Sequence, residues 1–135
     1  MSEVQLAEMV RHCQEERPNE GCGVLAAADG RIVKVIGMTN ASASPVRYQL
    51  DPREQFAVYR TLDQQGWDLG GIFHSHTHTE AYPSPTDVRL ASEEVPYVIV
   101  SFATDPPTIR GFRINKEWWT DEQGEILEIP IVVQG

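Results

Sequence analysis

Cysteine, basic residues and long apolar runs are all scarce in this sequence. Its 135 residues include two cysteines, Cys13 and Cys22, which make neither a disulfide framework nor a C-x-x-C pair, so we expect a reducing, cytoplasmic setting. No apolar run approaches the roughly 20 residues that span a bilayer, and the N-terminus lacks the pattern of a signal peptide. Eleven Lys and Arg against 20 Asp and Glu give a formal charge of −9, which argues against a nucleic-acid partner.

Helical and strand-like patterns alternate along the chain. A length of 135 residues favours one domain over residues 1–135. Residue spacing predicts helices at 3–16 and 51–66 and a third that starts at Ser84-Pro85 and continues through 92. It predicts strands at 22–28, 31–38, 47–50, 97–103, 109–115 and 125–133, and one that runs from Leu69 to His74-Ser75-His76. Asp29-Gly30 predicts a tight hairpin between the first two strands. Helices interspersed among strands predict an α/β fold, a single layered domain with a mixed central sheet flanked by helices.

The second helix carries the clearest start signal. Asp51-Pro52-Arg53-Glu54 has the form of a capping box with proline at the first helical position. The helix behind it is expected to bury Phe56, Tyr59 and Leu62, which follow helical spacing.

Three of the four histidines fall within five residues, directly after an apolar run. The run Leu69–Phe73 predicts a buried strand that ends at His74-Ser75-His76. Side chains two apart in a strand project from the same face, so His74 and His76 can aim at one point. After seven more residues, Ser84-Pro85-Thr86-Asp87 has the form of a helix start, and a loop of this length can return Asp87 to the strand end. Two imidazoles and one carboxylate leave a fourth position open on a zinc ion, as in hydrolytic sites.

Each part of this pattern also has an ordinary structural explanation. A lone H-x-H pair is often hydrogen-bonded core, and Ser-x-x-Asp is what a helix N-terminus prefers in any case. His78 continues the alternation, but Tyr82, Pro83 and Pro85 indicate that the chain has left the strand. We therefore interpret His78 as a rim residue.

A metal hydrolase also needs a base that takes a proton from water, and the sequence offers Glu20 and Glu80. Glu20 lies between a helix breaker and a predicted strand, where carboxylates are usually solvated surface. Gly21 and Gly23 are more informative, because they indicate close approach of backbone segments at the strand start. Chemistry alone leaves both glutamates as candidates.

The complete pattern resembles the JAMM (MPN+) metalloprotease family: His74-Ser75-His76, seven residues, Ser84, two residues and Asp87, with Glu20 upstream in Glu-Gly-Cys-Gly-Val-Leu. The resemblance covers nearly the whole chain and implies a fold like that of the cytidine deaminases. It implies that His74, His76 and Asp87 bind one catalytic zinc ion, that Glu20 is the general base, and that Ser84 helps stabilise the tetrahedral oxyanion. Family members hydrolyse peptide or isopeptide bonds after the C-terminal glycine of ubiquitin or a ubiquitin-like protein.

Two departures point to a small bacterial branch of that family. Thr77 stands where many members have proline, and the chain has no obvious room for long insertions. Met38-Thr39-Asn40 and the segment 79–84 resemble the Mec-type enzymes, which act on ubiquitin-like sulfur-carrier proteins of the ThiS/MoaD kind. The resemblance implies such a carrier as partner and substrate, with release of cysteine or a short extension from its diglycine tail. The sequence does not indicate an oligomeric state.

A diglycine tail must be recognised through its backbone in a narrow passage, because glycine offers no side chain. The segment Ser42–Leu50 is our candidate strand edge for this purpose, with Tyr48 as a candidate substrate contact. Tyr82, two residues before Ser84, is a candidate contact on the leaving-group side.

Four other protein classes share parts of the pattern. A cupin would match His74-x-His76-x-x-x-Glu80, but it needs a further histidine in an all-β barrel. A non-catalytic MPN-type binding scaffold typically lacks the ligands that this chain keeps. A metallo-β-lactamase needs more histidines than His12 can supply, and a cytidine deaminase needs a Pro-Cys-x-x-Cys segment, which is missing.

Overall fold

The computed structural model describes residues 1–118 and 123–134. In this part of the chain, the helices and strands are α1 (Glu3–Glu16), β1 (Cys22–Ala28), β2 (Arg31–Met38), α2 (Pro52–Gln65), β3 (Asp68–His76), α3 (Pro85–Leu90), β4 (Tyr97–Ser101), β5 (Thr108–Asn115) and β6 (Glu125–Ile129). The predicted mixed α/β fold is confirmed. None of the helices in the described ranges is both long and apolar enough to cross a membrane.

The strands form one mixed sheet in the order β2-β1-β3-β4-β5-β6. Strands β3 and β4 are parallel, and the other neighbours are antiparallel. The strand that carries the histidines, β3, therefore lies near the centre of the sheet, where both faces are covered. An open sheet with helices packed on it excludes the all-β barrel of a cupin.

Alternation along β3 sends its side chains into two separate cores. Phe73 packs with Met9 and Cys13 of α1 on one face of the sheet. Ile72 packs with Tyr48 and Tyr97 on the other face. Because side chains two apart share a face, His74 and His76 project on the same side as Ile72. The candidate site therefore lies at the carboxyl end of β3, beside the second core.

The hairpin predicted at Asp29-Gly30 is present between β1 and β2. Asp29 and Gly30 have φ angles of 52° and 76°. Positive φ at both central residues is what a type I′ turn requires, and its twist matches that of the flanking strands.

Several predicted boundaries are wrong. Residues 47–50 form no strand, and Leu50 makes a single isolated bridge with Asn40. The last strand ends at Ile129 instead of Val133, since Pro130 has no N–H with which to continue the ladder. Strand β3, by contrast, ends at the histidines as predicted, since it continues through His76. The third helix begins at Pro85, as predicted from Ser84-Pro85, but it ends at Leu90 instead of Ser92, and β4 ends at Ser101 instead of Ala103.

Two predictions about helix α2 are wrong: the capping box at its start and the burial of Phe56. The Asp51 side chain does cap the helix, but the Glu54 carboxylate accepts from Thr39 N (2.7 Å) and Thr39 Oγ1 (2.6 Å) instead of returning to Asp51. Leu62 is buried and Tyr59 is half-buried, whereas Phe56 is 71% exposed. The residues that face the sheet are Val58 and Leu62. Phe56 lies about 200° around the helix from Val58, so the stripe that includes Val58 leaves it in solvent.

Candidate active site

The end of β3 delivers two histidines to one face of the sheet. His74 is flanked by Cys22 of β1 and Ile99 of β4, and His76 is flanked by Ser101 of β4. Both imidazoles are buried. Their positions are therefore fixed by the ladders of a central strand and not by a mobile loop.

The loop after β3 returns the chain to the histidines at the start of α3. Ser84 is the N-cap of this helix: its Oγ accepts from Asp87 N (3.0 Å), and its own N–H donates to Asp87 Oδ2 (2.9 Å). The predicted capping box is therefore present. The same Asp87 oxygen also faces both imidazoles, so the capping box fixes the carboxylate at the site.

The three side chains converge on a common point and could hold a metal ion. The Nε2 atoms of His74 and His76 lie 3.1 Å apart, and Asp87 Oδ2 lies 3.2 Å from the first and 2.9 Å from the second. His76 Nδ1 donates to the Glu80 carbonyl oxygen (2.7 Å). In the neutral ring Nε2 therefore carries a lone pair, which faces the Asp87 carboxylate and is repelled by it. A cation between these atoms removes that repulsion. Tetrahedral zinc, with bonds of about 2.0–2.1 Å, separates its ligand atoms by about 3.3 Å, which is close to the observed spacing.

The electrostatics of the cluster also favour a cation. Burial alone would raise the pKa of Asp87, but the facing His74 and hydrogen bonds from His74, His76 and Ser84 hold it well below its usual range. Burial alone would lower the pKa of His76, but the hydrogen bonds to Asp87 and to the Glu80 carbonyl raise it. The raised pKa of His76 means that the Asp87 carboxylate favours positive charge beside it. A divalent cation can supply that charge.

Glu20 lies beside this cluster and is only 3% exposed. Burial, together with the negative charge of Asp87, raises the pKa of Glu20 to about 8, and His76 opposes part of this shift. Among the described residues, Glu20 Oε1 has no hydrogen-bond partner. Because buried carboxylate oxygens are rarely left unpaired, this atom is suited to a ligand or a reacting group. Glu20 is the glutamate that the structure brings to the histidines.

Glu20, His76 and Ser84 line one cleft of about 440 Å³. Pro18, Pro45, Val46, Thr77, His78 and Thr79 form the rest of its walls. His78 is exposed at this cleft, as the rim interpretation expects. Glu80 has an exposed side chain, and its contribution is the backbone carbonyl that holds His76. Of the two candidate bases, Glu20 therefore has its carboxylate buried at the cleft, whereas the Glu80 carboxylate is exposed.

The two tyrosines occupy different environments. Tyr48 is 6% exposed, and its ring stacks on His74 with a centroid distance of 4.3 Å. It is not among the residues that line the cleft. Burial raises the pKa of Tyr48 well above its usual value, so it stays neutral. Tyr82 is 41% exposed and meets Phe112 edge to face at 5.5 Å.

Asn40 is a residue that sequence reasoning missed. Its buried side chain donates to the carbonyl oxygens of Glu20 and Arg47 (3.0 Å each) and accepts from the N–H groups of Ser42 (3.0 Å) and Gln49 (3.1 Å). It thereby fixes the loop after β2 to the segment that carries Glu20. In the sequence, Asn40 stood only within the segment Met38-Thr39-Asn40 that resembles the Mec-type enzymes, and an amide residue just beyond a predicted strand is compatible with any turn.

A second residue of this framework is Thr77, which stands where many JAMM members have proline. Its hydroxyl donates to the Pro45 carbonyl oxygen (3.1 Å). The bond joins the residue after β3 to the loop whose Pro45 and Val46 also line the cleft. The departure from the family pattern therefore adds a hydrogen bond and leaves both histidines in place.

A buried His–His–Asp set that could hold a metal ion, next to a protonatable carboxylate and beside a cleft, is the arrangement that hydrolytic metal centres use. The sequence profile of the prokaryotic homologs of the JAB domain matches residues 2–119. The chain belongs to this family, and the predicted JAMM/MPN membership is confirmed. It is accordingly a hydrolase of the JAB type.

Comparison with individual proteins agrees with this assignment. The chain is 44% identical over 125 residues to the CysO-cysteine peptidase of Mycobacterium tuberculosis, covering 89% of this chain and 85% of that one. It is 39% identical over 101 residues to a probable TtuB-protein conjugate cleaving protease of Thermus thermophilus (74% and 66% covered). A solved structure from Desulfitobacterium hafniense matches with a TM-score of 0.85 at 34% identity (98% and 90% covered). A JAB1/MPN domain protein from Archaeoglobus fulgidus shares the fold, with a TM-score of 0.59 at 17% identity (96% and 93% covered).

Proposed function

We propose that this chain is a zinc-dependent peptidase that hydrolyses the bond after the C-terminal diglycine of a ubiquitin-like sulfur-carrier protein of the ThiS/MoaD type. The products are the carrier with a free glycine carboxylate and either cysteine or a short C-terminal extension. One observation carries the proposal: His74, His76 and Asp87 converge within 4.8 Å of one another beside the buried carboxylate of Glu20.

The ligand set is the first support for zinc. His74 and His76 offer Nε2 and Asp87 offers Oδ2, which makes three nitrogen and oxygen ligands with the fourth position left to solvent or substrate. His76 is oriented through Nδ1 by the Glu80 carbonyl, the usual arrangement behind a ligating histidine. When bound, the ion would supply Lewis acidity and activate the attacking water.

Glu20 has the position and the proton affinity of the general base. Its Oε1 takes a proton from the attacking water and returns it to the leaving amine, so that the carboxylate is regenerated in each turnover. Without a cation, burial and the charge of Asp87 raise the pKa of Glu20 to about 8. A cation bound beside it would lower this pKa again, which would leave the carboxylate able to accept a proton near neutral pH and to hold it between the two steps.

Ser84 is the candidate for oxyanion stabilisation. Its Oγ already accepts a hydrogen bond from Asp87 N, which fixes the oxygen at the cleft wall. The hydroxyl hydrogen then donates to the carbonyl oxygen of the scissile bond as negative charge develops there.

Two kinds of observation support the substrate class. The relatives named above act on CysO-cysteine and on TtuB–protein conjugates, and a relative from Haloferax volcanii, 36% identical over 112 residues, is a desampylase. The walls of the cleft include Pro45 and Val46 of the segment Ser42–Leu50, which we retain as the proposed wall for an extended tail although it is a loop and not a strand. Tyr82, exposed two residues before Ser84, is the proposed contact on the leaving-group side.

Intact-mass analysis tests the proposal. A ThiS/MoaD-like carrier that ends in Gly-Gly-Cys is incubated with the enzyme in water labelled with oxygen-18. The expected product is the carrier ending in Gly-Gly with one labelled carboxylate oxygen, together with free cysteine. The variant His76→Ala is the control and should leave the carrier intact. If zinc-loaded protein does not shorten carriers with any C-terminal adduct, the proposed activity is wrong, and a folded protein that binds no zinc would instead support a binding scaffold.

A further inference from the structure

The two histidines of the site are held in different ways. His76 Nδ1 donates to the Glu80 carbonyl oxygen at 2.7 Å. His74 Nδ1 is fully buried and has no hydrogen-bond partner among the residues that the structure describes. A ligating histidine is normally oriented by a hydrogen bond at its second nitrogen, so His74 must be held by another contact.

Tyr48 makes that contact. Its ring lies 4.3 Å from the His74 ring with an interplanar angle of 19°, a stacked arrangement, whereas His74 and His76 meet edge to face at 61°. A stacked ring restricts tilting of the imidazole about its Cβ–Cγ bond, because any tilt drives one ring edge into the other.

Tyr48 is itself fixed from both sides. The carbonyl oxygen of Arg47, the residue before it, accepts from Asn40 Nδ2, and the N–H of Gln49, the residue after it, donates to Asn40 Oδ1. Tyr48 is also packed in the core that contains Ile72 and Tyr97. The stacking ring therefore cannot move away from His74 without breaking buried contacts.

We propose that Tyr48 is a positioning residue: its ring face, and not its hydroxyl, orients His74 so that Nε2 points at the position shared with His76 and Asp87. This inference rests on the metal site proposed above and deepens it. The aromatic ring takes the place of the hydrogen bond that His74 Nδ1 lacks. It follows that phenylalanine can replace Tyr48, while an aliphatic residue cannot.

Metal affinity in three variants tests the inference. Zinc binding is measured on metal-free protein by competition with a chromophoric chelator, and Co²⁺-loaded protein is examined by visible absorption. Tyr48→Phe should bind zinc as tightly as the wild type and give the same Co²⁺ spectrum. Tyr48→Leu should weaken zinc binding about 10- to 100-fold, the usual effect of losing an outer-shell partner of a ligand. Tyr48→Met, whose longer and unbranched side chain adapts better to the space left by the ring, serves if the leucine variant does not fold, and should show the same loss.

Val24→Ala is the matched control. Val24 is buried in the same core as Tyr48 but is a residue of β1 and not a stacking partner of His74. It should lower the melting temperature without changing zinc affinity or the Co²⁺ spectrum. The inference is overturned if Tyr48→Leu or Tyr48→Met binds zinc like the wild type, if Val24→Ala loses affinity to the same extent, or if Tyr48→Phe fails to rescue. A wild-type chain that binds no zinc would overturn the metal site itself, which is a different result.

Discussion

Gly21 and Ser75 are joined by two hydrogen bonds: Gly21 N donates to Ser75 Oγ (2.8 Å), and Ser75 N donates to Gly21 O (3.0 Å). Ser75 lies between the two histidines in sequence, and Gly21 follows Glu20. The two hydrogen bonds therefore hold the segment that carries Glu20 next to the segment that carries His74 and His76. A Cβ on Gly21 would lie 2.7 Å from Cys13 Cα, which explains the glycine at this close approach. Glu20 and the histidines are therefore parts of one rigid unit.

The first prediction concerns the role of Glu20. Glu20→Gln keeps the size of the side chain but cannot accept the proton of the attacking water. We expect zinc content to stay at the wild-type level and kcat to fall about 10²- to 10⁴-fold. Elemental analysis and a cleavage assay measure both quantities. Glu80→Gln is the matched control, because the Glu80 side chain is exposed and its carbonyl is unchanged. If the effects are exchanged between the two variants, the roles of the glutamates must be exchanged as well.

The second prediction concerns the pH dependence of stability without metal. The pKa of Glu20 is raised from 4.5 to about 8 in the folded chain, so between these values the folded state holds a proton that the unfolded state has lost. Stability therefore falls as pH rises from about 4.5 to about 8, by a Glu20 contribution on the order of 3 kcal/mol. Urea unfolding of metal-free protein at pH 5 and pH 8 measures it. Glu20→Gln should be markedly less sensitive to pH over this range, and an unchanged pH dependence would contradict the assigned pKa.

The third prediction concerns Asn40. Asn40→Ala removes five hydrogen bonds, among them those that its side chain donates to the Glu20 and Arg47 carbonyl oxygens. We expect the free energy of unfolding to fall by about 2–4 kcal/mol. We also expect lower kcat, because the same bonds hold Glu20. Thr39→Val serves as the control, since it removes one exposed hydrogen bond to Glu54 from the neighbouring residue. Equal, small effects of the two substitutions would mean that the loop does not depend on Asn40.

The fourth prediction concerns the substrate tail. Replacing the second glycine of a Gly-Gly-X tail by alanine adds a methyl group at the narrowest part of the proposed passage. We expect kcat/KM to fall about 10- to 200-fold, which is the usual change in kcat/KM when one methyl group is added or removed in a closely fitting pocket. Changing X should cost much less. Steady-state kinetics on both series decide the point, and equal tolerance of alanine and glycine would rule out recognition of the diglycine tail.

The sequence predicted those features that depend on backbone periodicity and local signals. The two-residue alternation of β3 and the capping box at Ser84 were enough to predict that His74, His76 and Asp87 would meet. The burial of Phe56 was predicted wrongly, because helical spacing reveals an apolar stripe but not which stripe the sheet covers. The loop at 47–50 was misread as a strand, since its order comes from Asn40 and not from pairing with a neighbouring strand. The stack of Tyr48 on His74 likewise depends on a contact between segments far apart in sequence, which no local pattern encodes.

Zinc titration of the metal-free chain, followed by carrier cleavage, tests the central claim most directly. If His74, His76 and Asp87 hold one catalytic ion, activity should be absent without metal, rise linearly with added Zn²⁺ and reach its plateau at one equivalent. His76→Ala should remain folded and inactive throughout the titration, because the sheet does not depend on the ion. Full activity in the metal-free protein, or wild-type zinc occupancy in His76→Ala, would contradict the account.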